Sequence, residues 1–188
     1  MKSDTYHHGK LKEELIEKGL EYIAKYGTET LSMRKLADSA GVSPAAPYAH
    51  FKNKEAFLSA VRDFITRRFY TALKEALDNC SDPSRFLLEL GKSYVLFFNE
   101  NPLYYQFLFS AGSIDLEQYP PFVLFRSTAE KVLNRLYGEK ADGDLIHAKV
   151  IALWSLVHGL STVVTIKGAI NANHLDEEVE RILISINV

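Results

Sequence analysis

The sequence predicts an all-α protein of about nine helices. Three observations carry this. Apolar residues recur at three-to-four spacing through nearly every segment. The segments open on Ser, Asp or Asn, three times with Pro following at once, and several close on Gly. No strand pair or hairpin signal interrupts them.

In the first helix Leu11, Leu15, Gly19/Leu20 and Ile23 form the apolar stripe, and Tyr26-Gly27 ends it. Ser32 can cap a second helix, with Leu31 stapling onto Leu36 and an apolar face of Leu36, Ala37 and Ala40. Gly41 supplies the positive φ at which that helix stops. Val42 plugs a short turn. Ser43-Pro44 then starts a third, very short helix, with Tyr48 and Phe51 on one face. Asn53 caps a long fourth helix, carrying Phe57, Val61, Phe64/Ile65, Phe69 and Leu73, that runs to about Asn79.

Ser81-Asp82-Pro83 opens a fifth helix, whose buried face is expected at Phe86, Leu90, Tyr94 and Phe97. Asn101-Pro102 opens a short aromatic one. A loop spans Gly112 to Pro121, and the next helix covers about Phe122 to Tyr137, closed by Gly138. Ala141-Asp142-Gly143 precedes a long apolar helix from Asp144 to about Lys167. Asp176 caps the last helix, striped with Val179, Ile182, Leu183 and Ile186.

Composition is that of an ordinary soluble chain: 188 residues, 47% hydrophobic and 24% charged. Residues 1–70 hold 12 Lys and Arg against 9 Asp and Glu, and the remainder 10 against 15. A basic head on an acidic body suits a reader of nucleic acid joined to something else. Cys80 is the lone cysteine, which excludes an intrachain disulfide and a cysteine zinc cluster. The N-terminus has no apolar core of a signal peptide. The most hydrophobic run, Val150 to Ile166, includes Ser155, His158, Gly159, Ser161 and Thr162 and falls short of the about 20 apolar residues that span a bilayer. It reads as a buried helix, and the protein as cytoplasmic, with no membrane partner. The six histidines, His7, His8, His50, His147, His158 and His174, are scattered, with no carboxylate–histidine or metal-ligand spacing. No enzyme, metal or cofactor is implied.

Leu31 to Glu55, LSMRKLADSAGVSPAAPYAHFKNKE, is therefore a helix-turn-helix, the scaffold that lays a second helix in a DNA major groove. The segment resembles the TetR family of one-component bacterial transcription regulators. The matching residues are Leu36-Ala37, Ala40-Gly41-Val42-Ser43, Tyr48-Ala49-His50-Phe51 and Lys54-Glu55. Tyr6-His7-His8-Gly9 and Ser43-Pro44-Ala45-Ala46-Pro47-Tyr48 resemble one branch of it. Trp154-x-x-x-His158-Gly159 resembles the branch whose effector domain is named for those three residues. The resemblance implies a homodimer on a roughly palindromic operator, usually a repressor, released by a small molecule in its C-terminal domain. Pro47 departs from the pattern. It removes a donor that would bond back to Ser43 and is expected to tighten or tilt the first turn of the recognition helix.

Residues 44–50 contain no Arg, Lys, Asn or Gln, so Pro44, Ala45 and Ala46 offer apolar contact, most usefully to thymine methyls. Arg34 is the candidate for a guanine contact. Ser43, Tyr48 and His50 can donate to phosphate or a base edge, and Lys52 and Lys54 sit where a helix N-terminus would hold phosphate. Tyr6, His7, His8 and Lys10 could form an arm along the backbone or minor groove.

Ten of the chain's 22 Phe, Tyr and Trp lie between Tyr94 and Phe125, more than one helix face needs. They suggest a core that also walls an apolar pocket. Its candidate lining is Tyr94, Phe97, Phe98, Tyr105, Phe109, Phe122 and Phe125, with Trp154 and with His158 as polar handle. The apolar stripes of the last two helices suggest a four-helix bundle across a two-fold axis, through Leu156, Val163, Val164, Val179, Ile182, Leu183 and Ile186. The expected organisation is a DNA-binding domain over 1–53, a connecting helix over 54–79, and an effector-binding and dimerisation domain over 80–188. The alternative controller is a protein partner, or the redox state of Cys80.

Overall fold

The structure, a computed structural model, describes residues 4–110, 115–138, 142–166, 169–170 and 172–185, with side chains from Lys10 onward except those of 110 and 172. Eight α-helices and four short 3-10 turns make up the described chain. They are α1 (Asp4–Tyr26), α2 (Met33–Ala40), α3 (Lys54–Asp78), α4 (Phe86–Glu100), α5 (Pro102–Ser110), α6 (Pro120–Tyr137), α7 (Gly143–Val163) and α8 (Leu175–Ser185). The class is all-α, as expected. The count is eight because the short third helix is a 3-10 turn, Ala46–Ala49.

The helix ends fall where local chemistry puts them. Ser32 caps α2 by accepting from the Lys35 N–H at 3.2 Å. Gly41 closes it at φ 66°, ψ 28°, and the Val42 N–H reaches back to the Ala37 carbonyl at 3.1 Å. Asn53 Oδ1 accepts from the Ala56 N–H at 2.8 Å and starts α3. Asp142 starts α7 by accepting from the Asp144 N–H. Asn101 behaves differently from expectation. Its side-chain amide donates to the Phe97 carbonyl at 2.8 Å, so it closes α4 as much as it opens α5.

The chain divides into two compact units. The first comprises residues up to Ile65 together with a later segment from Leu103 that contains all of α5 but its first residue. The second comprises Thr66–Pro102 and the rest of the chain, so α3 contributes its first half to one unit and its remainder to the other.

In the first unit α1 packs on α2. Leu15, Ile16, Leu20, Leu36, Phe51, Phe57 and Val61 are buried there. Gly19 is a close approach: a Cβ built on it would stand 2.2 Å from Phe57 Cζ and 3.1 Å from Leu36 Cδ1. From α5, the Tyr104 hydroxyl donates to Glu17 Oε1 of α1 at 2.5 Å, and its ring stands edge-on to Phe64.

In the second unit α4 packs against α6, α7 and α8. The buried face of α4 is Leu87, Leu90, Gly91, Tyr94, Val95 and Phe98, one position round from the expected Phe86–Leu90–Tyr94–Phe97 line. Phe86 and Phe97 are half-buried. The helix is apolar on two adjacent faces, and neighbours at α7 and α8 decide which faces in. Arg85 bridges Glu89 of α4 and Glu180 of α8, and Lys92 binds both Asp176 and Glu180 at 3.1 and 2.7 Å. Among the described residues α7 is the helix long and apolar enough to cross a membrane. It is buried along one face only, through Ile146, Val150, Trp154, Val157, Leu160 and Ser161, and not all round as its composition suggests.

Candidate functional site

After Gly41 the chain turns through Val42 and Ser43, and the expected recognition helix over 44–50 forms one 3-10 turn. The Ala46 N–H bonds to the Ser43 carbonyl and the Tyr48 N–H to the Ala45 carbonyl, while the His50 and Phe51 N–H groups both bond to the Pro47 carbonyl. Pro47 is the cause. It has no N–H to give an α-helical bond back to Ser43, and its fixed φ suits a tight turn. It is also buried, and with Phe51 it holds the turn against the first unit. Phe51 meets Phe57 edge-on, ring centroids 5.1 Å apart.

The other side chains face outward. Ser43, Pro44, Ala45 and Ala49 are exposed and Tyr48 is 58% exposed, so Tyr48 does not share the inward face of Phe51 that three-residue spacing suggests. Ala46 and His50 are half-buried. Ala49 joins the exposed set, although an α-helical reading of 44–50 gives no reason to single it out.

Arg34 and Lys52 flank the turn in sequence, and both are exposed, as is Lys10. Lys54 is half-buried, and its Nζ donates to the Glu29 carbonyl at 3.4 Å. Lys35 is tied likewise: Nζ donates to the Thr30 carbonyl at 2.9 Å and lies over the Tyr22 ring. The backbone at Tyr6 and His7 continues α1; their side chains lie outside those described.

Residues 15–61 match the family model described as bacterial regulatory proteins, tetR family. That similarity lies in α1, α2, the 3-10 turn and the start of α3. Over 89 residues it is 33% identical to the class G tetracycline repressor protein of Vibrio anguillarum, a match covering 47% of this chain and 36% of that protein. The chain thus spans about a third of that repressor's length. Its fold is also that of a protein of unknown function from Rhodococcus sp. RHA1, at 26% identity and TM-score 0.69, covering 97% of this chain and 96% of the other. The TetR family transcriptional regulator PfmR of Thermus thermophilus matches at 19% identity and TM-score 0.63, over 92% and 96% of the two chains. The TetR-like fold is thus common to the whole chain. The family matched at residues 15–61 is one of regulatory proteins, not enzymes.

Outside the helix-turn-helix, the aromatic residues expected to wall one pocket are divided. Tyr105 and Phe109, 5.0 Å apart, sit on α5 in the first unit. Tyr94, Phe97, Phe98, Phe122, Phe125 and Trp154 belong to the second, and pack on each other. Phe69 lies 4.6 Å from Phe98 and 4.9 Å from Tyr94, and Trp154 stands edge-on to Tyr94, Phe122 and Phe125 at 5.0–5.2 Å. A cavity of about 230 Å³ lies between α4, α6, α7 and α8, lined by Leu87, Phe125, Leu153, Leu156, Val157 and Leu183 among others, with Arg85. Phe125 is the member of the expected aromatic set that lines it.

The Tyr94 hydroxyl and His158 Nδ1 share a hydrogen bond of 2.9 Å. Burial pushes the half-buried His158 below its ordinary 6.5. Below that ordinary value the unfolded chain takes up a proton the folded one resists, so this group's share of stability is full above its ordinary value and falls as pH drops below it. Thermal melts of His158→Gln should lose that part of the slope. An unchanged slope would assign it to other groups.

Of the residues expected at a dimer interface, Val179 and Leu183 are buried inside the second unit. Leu156, Val164 and Ile182 are half-buried and Val163 is exposed; Ile186 lies outside the described residues. The exposed apolar side chains of this region that spacing did not single out are Leu145, Ile151, Ile166 and Ile184. Cys80 is half-buried, with Sγ 3.2 Å from the Asp82 carbonyl.

Proposed function

We propose that this chain is a cytoplasmic, DNA-binding transcriptional regulator of the TetR type, acting as a homodimeric repressor on a palindromic operator and released by a small apolar or aromatic effector. The observation that carries the DNA reading is the outward face of the helix-turn-helix. Pro47 and Phe51 turn inward while Ser43, Pro44, Ala45 and Tyr48 are exposed, as are the cations Arg34 and Lys52 before and after them in sequence. The N-terminus of the long α3 adds positive end charge beside them.

Dimerisation is supported by the outer face of α7. Ile151, Ala152, Ser155, Gly159 and Val163 are exposed along one side, with Ile184 of α8 55% exposed. Nothing lies within 4 Å of the position a Cβ would take on Gly159, so a second helix can approach closely. The effector reading rests on the cavity in the second unit, apolar apart from Ser84 and Arg85.

The test is a pair of variants measured by gel shift on operator and unrelated DNA. Arg34→Ala should weaken operator binding by about 1–3 kcal/mol with little change on unrelated DNA. Lys52→Ala should weaken both alike and reduce the slope of log affinity against log salt by about one. Equal losses on both DNAs for Arg34→Ala would remove it from base readout, and absence of DNA binding by the intact wild-type chain would overturn the reading as a whole.

A further inference from the structure

The outward face of the turn is poor in hydrogen-bonding groups. Prolines 44 and 47 carry no N–H. The N–H groups of Ala46, Tyr48, His50 and Phe51 are spent on carbonyls within the turn. None of residues 43–50 is Arg, Lys, Asn or Gln, the side chains that grip guanine or adenine in two-point fashion. What the turn exposes is carbon: the Pro44 ring, the methyl groups of Ala45 and Ala49, and the Tyr48 ring, with the hydroxyls of Ser43 and Tyr48 at its edges.

In the major groove one group on an ordinary base is apolar, the 5-methyl of thymine. A surface of ring and methyl carbon gains from burying it and gains little from the amino, carbonyl and ring-nitrogen groups beside it, whose water it would displace without replacement. Because Pro47 pins the turn from behind, the carbon face is presented in one conformation, with little entropy left to lose on contact.

We infer that the turn over 43–49 reads its operator through 5-methyl groups in the major groove. Cytosine methylated at carbon 5 carries the same group at the same groove position, so the turn also distinguishes 5-methylcytosine from cytosine. This rests on the DNA-binding reading above, and names the chemistry by which that surface selects its site.

The experiment starts with the intact chain and an operator selected from random duplex DNA. Deoxyuridine then replaces thymine at each half-site position in turn, removing one methyl and no hydrogen-bonding group. At one or more positions affinity should fall about fourfold for each methyl removed, from the roughly 0.8 kcal/mol of one buried methylene-sized group. At those positions 5-methylcytosine should bind more tightly than cytosine by a similar factor. Ala45→Gly, which keeps the backbone free to adopt the same turn, should shrink the uridine penalty at the position it faces. The same uridine replacements in unrelated DNA should change nothing. An operator that tolerates uridine at every thymine, a half-site without thymine, or equal binding of cytosine and 5-methylcytosine would each overturn the methyl readout while leaving DNA binding intact. Failure to enrich any sequence would instead count against the DNA-binding reading, and the inference would fall with it.

Discussion

Trp154→Ala is expected to cost about 3–5 kcal/mol, the largest effect of any single truncation considered for this chain. Trp154 is 6% exposed, and three rings meet it edge-on within 5.0–5.2 Å: Tyr94 of α4, and Phe122 and Phe125 of α6. Removing the indole takes away the body that α4, α6 and α7 share, and rings packed this closely cannot all collapse into the gap. At roughly 2–4 °C per kcal/mol for a chain of this size, the melting temperature should drop by about 6–20 °C. Trp154 is the single tryptophan, so circular dichroism is the readout, not intrinsic fluorescence. Trp154→Phe keeps an aromatic edge for Phe122 and Phe125 and should cost less. A melt within about 1 kcal/mol of wild type for the alanine variant would mean that the ring cluster is not what holds the second unit together.

The second large effect is expected at Gly19→Val. Helix propensity alone favours replacing a mid-helix glycine by any residue but proline, by about 1 kcal/mol for alanine. Space opposes it. The added Cβ would stand 2.2 Å from Phe57 Cζ and 3.0 Å from Cε1, and both Phe57 and Leu36 are fully buried, so neither can swing into solvent. Overpacking of this kind costs about 1–3 kcal/mol, and the β-branched side chain adds two atoms at the worst point. The strain falls where α1, α2 and α3 interlock, behind the face proposed for DNA. The expected outcome is a lowered thermal midpoint and weakened binding to operator and unrelated DNA together. A variant as stable as wild type would show that the approach of α1 to Phe57 is looser than the structure has it.

The parts of the fold legible in the sequence are those decided within one turn of chain. Ser32, Gly41, Asn53 and Gly138 act on neighbouring N–H and C=O groups, and the helix ends they mark lie where the residues place them. The recognition segment was legible as a location but not as a conformation. Two prolines three residues apart were visible, yet that Pro47 would turn inward and Tyr48 outward depends on the core that Phe51 and Phe57 form. The inward face of α4 was misplaced by one position because Phe86 and Phe97 are as apolar as Leu87 and Phe98, and packing against α7 and α8 chooses between them.

Long-range membership was the least legible. Tyr105 and Phe109 look continuous with Tyr94 and Phe98 along the chain, but α5 belongs to the first unit, where Tyr104 bonds Glu17. Val179 and Leu183 look like interface residues by spacing and are core residues by burial, while Ile151 and Ile184, which spacing did not single out, are exposed. Periodicity reports that a stripe will be covered, and not whether the same chain or a second copy covers it.

If the proposed function holds, the first unit binds DNA with sequence preference. The most direct measurement is a fluorescence anisotropy titration of the intact chain against the selected operator duplex and a scrambled duplex of the same composition, at several salt concentrations. The expected result is two chains per duplex, a preference for the operator of about a thousandfold or more, and affinity falling linearly on a log–log plot against salt. Equal affinity for both duplexes, or no binding at low salt, would contradict it.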